Sequence, residues 1–196
     1  GKHIDFYKTG DELFEVMCEL ERTLKVWSFF IMDENFLLHR KRALRLLELM
    51  EEHDKSWALY VFSSANVLKG YTIEQLVGLG ISWVWMGLEG ENSRYVKLAG
   101  ADTKTLVRNL QSHGIRVLGS TIIGLEEHTS DNLDAAIDYA VSHDTEFHQF
   151  MLYTPIPGTK LWAELQDQGQ LTDIDCKEAA DTHGQLRFNY RHANLA

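Results

Sequence analysis

The 196-residue sequence holds only two cysteines, Cys18 and Cys176, and two prolines, both within Pro155-Ile156-Pro157. Thiols so far apart make no disulfide framework and no cysteine-ligand spacing, and they suit a reducing cytoplasm. Positive charge is scarce as well. Nineteen Lys and Arg face 29 Asp and Glu, a net charge of −10, and the longest cationic stretch is His39-Arg40-Lys41-Arg42. Phosphate contacts need a basic face, so nucleic acid is excluded as the main partner. No apolar run approaches the roughly 18 residues of a membrane span. HExxH, GxSxG, P-loop and GxGxxG motifs are all missing. The nine histidines show no ligand spacing, and Cys18, following the apolar Met17, reads as a packed thiol. No methionine precedes Met17, so the sequence is expected to be a piece of a longer protein.

What is present is an ordinary globular balance, 44% hydrophobic and 24% charged, enough for one domain or a large part of one. Short runs of aromatic and β-branched residues predict buried strands at 27–32, 57–62, 83–88, 117–123 and 147–153. Their starts are 30, 26, 34 and 30 residues apart, the length of a repeated βαβ unit. The stripes Ala43, Leu46, Leu47, Met50 and Leu133, Ala136, Ile137, Ala140, Val141 predict helices between them. Thr9 with Glu12, and Thr72 with Gln75, match capping boxes. Further helices are expected over 11–24 and 161–168. The tryptophans, mostly at strand starts, are expected in the core. The polar stretch after Gly169 is expected to extend and pack on the main domain, giving domains 1–169 and 170–196.

In parallel α/β folds, ligands bind at the carboxyl ends of the strands. Here those ends read Asp33-Glu34-Asn35-Phe36, Ser63-Ser64-Ala65-Asn66, Gly87-Leu88-Glu89-Gly90, Gly124-Leu125-Glu126-Glu127 and Pro155-Ile156-Pro157-Gly158-Thr159. A lone acid after a strand is usually a helix cap. Acids at three strand ends, two framed by glycine, favour a cationic ligand or a divalent metal. The proline segment reads equally well as a rigid turn or as a ligand-shaping loop.

In this order and spacing the segments at 30–36, 86–90, 121–127 and 155–159 resemble radical S-adenosylmethionine (SAM) enzymes, in the branch associated with cobalamin-binding domains. The resemblance implies an α/β fold, an open parallel (β/α) partial barrel with five of the family's six strands present. It places Asp33, Glu34 and Asn35 by the cofactor's methionine ammonium, Glu89 by ribose and methionine, and Ile122, Gly124 and Glu127 on the adenine side. Ser120 stands where the family has its first glycine. Ser64, at the third-strand end of the family barrel, is a looser candidate for cofactor hydroxyls. No residue is assigned to a metal. The implied cofactors are SAM and a 4Fe–4S cluster in the parent protein, with cobalamin allowed by the branch. The partners are these cofactors and a small-molecule substrate, with no membrane span.

The family's Cys-x3-Cys-x2-Cys loop is not in the sequence, so the chain alone is expected to be inactive while the parent generates a 5′-deoxyadenosyl radical. Self-association through an open sheet edge is expected. Two other readings stand beside this one: a divalent-metal barrel using strand-end carboxylates, and a non-catalytic degenerate barrel acting as an interaction module.

Overall fold

The structure, a computed structural model, describes residues 6–88, 102–172 and 187–195. A five-stranded sheet runs in chain order: β1 (Ser28–Ile31), β2 (Ala58–Ser63), β3 (Ile81–Gly87), β4 (Arg116–Ile123) and β5 (Phe147–Leu152). Pairing is parallel where the register is defined, with Ser28 opposite Ala58 and Val61 opposite Val84. A register shift falls between Leu59 and Tyr60. The helices are α1 (Gly10–Leu24), α2 (Arg40–Glu52), α3 (Ala65–Leu68), α4 (Ile73–Gly78), α5 (Thr103–Ser112), α6 (Leu133–Val141) and α7 (Lys160–Asp167). This is the parallel α/β architecture expected from the strand spacing, since each parallel crossover needs a helix.

The chain divides into two compact units, residues 1–119 with 143–147, and residues 120–142 with 148–196. In the first, α1 begins where the capping box requires. Thr9 Oγ1 accepts the Glu12 N–H at 3.1 Å, and the Thr9 N–H returns a bond to Glu12 at 3.1 Å. Thr72 and Gln75 do the same for α4. Phe14 and Met17 of α1 and Ala43, Leu46, Leu49 and Met50 of α2 join Leu59, Val61, Val84 and Met86 in one buried cluster. Each buried aliphatic side chain there contributes on the order of 1.5–3 kcal/mol.

Strand alternation sorts the aliphatics to that core and leaves a second face. Of the five tryptophans, Trp57 is buried as expected, but Trp27 is 67% exposed. Trp83 and Trp85 are half-buried on the side of β3 opposite Val84 and Met86. The core expectation fails for them because successive strand residues point to opposite faces. In the second unit, α6 buries Ala140 but leaves Val141 half exposed.

Candidate functional site

The first patch is built at the ends of β1 and β2. Asp33 follows β1 and is buried, paired with the equally buried Arg42 from the first turn of α2 at 3.0 Å. The other carboxylate oxygen accepts the Asn35 N–H at 3.2 Å. The Ser63 hydroxyl, at the end of β2, lies 3.5 Å from Asn35 Oδ1 and points its donor there. Arg42 also donates to the Tyr7 carbonyl at 3.2 Å and lies 5.5 Å over the Phe36 ring. Beneath this, the single turn Phe36–Leu38 is tied down by the Tyr71 hydroxyl, which donates to the Leu37 carbonyl at 2.6 Å. Burial pushes the Tyr71 phenol up to about 12, so it stays a donor throughout the physiological range. Tyr7, Leu13, Ile31, Met32, Asp33, Phe36 and Arg42 line a cavity of about 230 Å³ there.

The structure therefore brings Asp33, Asn35 and Ser63 together, leaves Glu34 exposed beside them, and sets Ser64 half-buried before α3. Asp33 is occupied internally and positions its neighbours. Glu89 lies outside the described residues. Arg42 is the residue that sequence reasoning missed, because it counted only as one member of the cationic stretch His39–Arg42.

The second patch belongs to the other unit and follows β4. Gly124 has φ +81°, and a Cβ there would run into the Phe188 ring. Its N–H and that of Leu125 donate to His128 Nδ1 at 3.0 and 3.4 Å. Residues after 187 close over the same turn. The Tyr190 hydroxyl donates to the Gly124 carbonyl at 3.2 Å, and the Asn194 amide to the Glu126 carbonyl at 3.0 Å. His192 Nδ1 accepts the Asn194 N–H at 3.0 Å, which leaves Nε2–H to donate to the Leu125 carbonyl at 3.1 Å. Ile122 is half-buried and Glu127 exposed. In the proline segment, Thr159 caps α7 by accepting the Trp162 N–H at 3.3 Å, and Asn189 donates to the Pro155 carbonyl at 2.9 Å. That is the rigid-turn reading of the prolines.

Burial holds the His128 imidazole below its usual range, which keeps it neutral and able to accept both N–H bonds. Because this pKa is lower folded than unfolded, the associated stability is complete above about pH 6.5. It is lost as pH falls from there through the folded value. The urea midpoint of the wild type is expected to drop more between pH 7 and pH 5 than that of His128→Gln. Parallel pH profiles would remove His128 from this role.

Cys18 is the cysteine within the described residues, half-buried in α1, with burial pushing its thiol up. One protonated thiol does not fit a 4Fe–4S cluster, which takes several thiolates. Among the described residues, no group of three His, Cys, Asp or Glu is placed to hold a metal ion. No helix there is long and apolar enough to cross a membrane.

No protein-family model matches the chain. It is 30% identical over 138 residues to an uncharacterised methyltransferase of Pyrococcus horikoshii, covering 67% of this chain and 30% of that protein. It is 29% identical over 183 residues to a bacteriochlorophyllide d C-12(1)-methyltransferase of Chlorobaculum tepidum, covering 89% of this chain and 40% of that one. The chain thus spans well under half the length of either relative. Among solved structures it shares the fold of the radical SAM methyltransferase TsrM of Kitasatospora setae, which was solved with cobalamin and a 4Fe–4S cluster. That likeness has a TM-score of 0.68 at 18% identity, over 81% of this chain and 34% of TsrM. The resemblance to radical SAM enzymes read from the strand ends is borne out, as is the five-stranded parallel α/β fold.

Proposed function

We propose that the chain is the SAM-binding core of a radical SAM methyltransferase, working in a reducing compartment where Cys18 stays a thiol. The observation that carries this is the joined rim of β1 and β2, where buried Arg42 fixes Asp33 and Asp33 fixes Asn35. An exposed carboxylate, Glu34, thereby stands in the chain between the fixed Asp33 and Asn35, whose side-chain oxygen meets the Ser63 hydroxyl. The methyltransferase relatives and the shared TsrM fold support the same reading.

Glu34 complements the ammonium of a bound methionine moiety, a charge-assisted contact. Asn35 and Ser64 supply hydrogen bonds to its carboxylate or to ribose hydroxyls. Glu89 takes the ribose and methionine side. Ile122, Gly124 and Glu127 serve the adenine side, with His128 and Tyr190 holding the Gly124 backbone in that turn. SAM supplies a transferable methyl group or, on reduction, a 5′-deoxyadenosyl group. The electron source is a 4Fe–4S cluster whose thiolates the described residues do not provide. Cobalamin is the further cofactor that TsrM carries, and we assign it to the parent protein. The chain alone binds without turning over.

Calorimetric titration with SAM tests this. Saturable binding is expected, weakened about tenfold by Glu34→Gln, the loss of one exposed charge-assisted contact. Asn35→Ala should weaken it further. A chain that ignores SAM, or a Glu34→Gln variant that binds as the wild type does, would remove the rim from this role.

A further inference from the structure

The cationic stretch His39-Arg40-Lys41-Arg42 opens α2, and α1 opens beside it. The two helix starts border an open groove of about 820 Å³, within one compact unit. Five cations line it, Lys8, Arg40, Lys41, Arg42 and Arg45, against two carboxylates, Asp11 and Glu48. The floor is close-packed. Gly10 is buried, and a Cβ there would fall 2.6 Å from Arg45 Cβ and 2.8 Å from the Arg42 carbonyl.

The carboxylates are already engaged. Arg45 holds Asp11 and Glu48, both at 3.0 Å, and Glu52 at 3.4 Å. Asp33 answers Arg42. Glu12 accepts the Lys8 and Thr9 N–H groups at 2.7 and 3.1 Å. Arg40, Lys8 and Lys41 form no ion pair among the described residues. Arg40 is oriented by neutral partners, donating to the Gly70 carbonyl at 2.9 Å and lying 5.5 Å over the Tyr71 ring. Lys8 and Lys41 are exposed.

Helix physics opposes this arrangement. The N-terminal end of a helix is positive, so carboxylates suit its first turn and cations do not. α1 follows the rule with Asp11 and Glu12. α2 breaks it, with Arg40, Lys41 and Arg42 in its first turn and no acid there. In a chain of net charge −10, this is not for want of carboxylates. Local choices that work against the fold gather at functional sites. An anion in the groove would resolve the conflict, attracted at once by the helix starts and by the three side chains.

The lining says which anion. Among the described residues no Phe, Tyr or Trp lines the groove and Leu44 is its apolar side chain, so little there would take up a base or an acyl chain. Three cations from two elements suit several charged oxygens in succession better than one carboxylate. We infer that the groove between the starts of α1 and α2 binds an oligophosphate group, held by Lys8, Arg40 and Lys41. Arg42 lines both this groove and the rim cavity, but its charge is met by Asp33. The groove is thus a cationic site apart from the carboxylate-bearing rim.

Sodium tripolyphosphate is the probe, titrated calorimetrically into the full chain at fixed ionic strength without divalent cations. One saturable site is expected, with orthophosphate at least about tenfold weaker. Lys41→Gln should weaken binding about fivefold, and Lys8→Gln/Lys41→Gln about twentyfold, the loss of one and two charge-assisted contacts. Lys41→Arg should retain it. Both lysines are exposed, so these variants leave the core intact. Lys160→Gln on α7, the same change of charge elsewhere, should bind as the wild type does.

ATP as tight as tripolyphosphate would extend the site to the phosphates of nucleotides, and a much weaker ATP would restrict it to free oligophosphate. Either supports the site. AMP as tight as ATP would overturn the inference, since the base would then carry the affinity. So would the lack of a saturable site, or equal weakening by Lys41→Gln and Lys160→Gln, the mark of net charge alone.

Discussion

Replacing Arg42 by methionine is expected to cost about 3–5 kcal/mol of folding stability, the range for breaking a buried ion pair from one side. Both side chains are almost wholly inaccessible, 4% for Arg42 and 6% for Asp33, so the methionine variant strands a carboxylate away from water. The variant also loses the bond to the Tyr7 carbonyl and the stacking over Phe36. Asp33→Asn should be nearly as damaging, because it leaves the guanidinium buried with a weaker acceptor. The double variant Asp33→Asn/Arg42→Met should recover part of the loss, since neither buried charge then remains. Urea unfolding of the three variants measures this cycle. An Arg42→Met loss below about 1 kcal/mol would mean that the rim does not depend on the pair.

Gly80→Ala should be the other severe change, and Gly114→Ala its control. Both glycines end a helix and start the approach to a strand with positive φ, +71° and +80°. A left-handed alanine costs about 1–2 kcal/mol by itself. At Gly114 nothing lies within 4 Å of the added carbon, so that cost is the whole effect. At Gly80 the carbon would run into the Trp57 carbonyl, which is backbone and cannot rotate away. The Leu59 N–H donates to the Gly80 carbonyl at 2.7 Å, so the displacement would also pull at the junction of β2 and β3. Gly80→Ala is expected to lose about 3 kcal/mol or more, counting overpacking on top of the backbone cost. Because β2 carries Ser63, ligand binding at the rim should fall with it. Similar thermal midpoints for the two variants would show that the backbone yields at Gly80.

The strands were legible because their apolar runs recur at βαβ spacing. The helix starts were legible because Thr9 and Thr72 each stand three residues before a Glu or Gln. Arg42 was harder to read. It stands among four consecutive basic or imidazole residues, yet Leu46 and Leu49 lie four and seven residues on, which puts all three on one helical face. That spacing was the available signal, and the partner, Asp33, could not be inferred without the fold. The tryptophans misled because hydrophobicity does not say which side of a strand a residue faces. The segment after 187 carried a period of two, Phe188, Tyr190, His192 and Asn194. All four touch the turn after Gly124. Only the carbonyl positions of that turn give the alternation its meaning.

The bond from Arg42 to the Tyr7 carbonyl has a consequence for how occupancy could be detected. One guanidinium spans the carboxylate after β1 and the main chain ahead of α1, so the two move as one piece. A molecule settling against the rim would steady Asp33 and, through that shared side chain, the peptide at Tyr7. Slower protease nicking around Tyr7 in the presence of SAM would then be a footprint of occupancy at the rim.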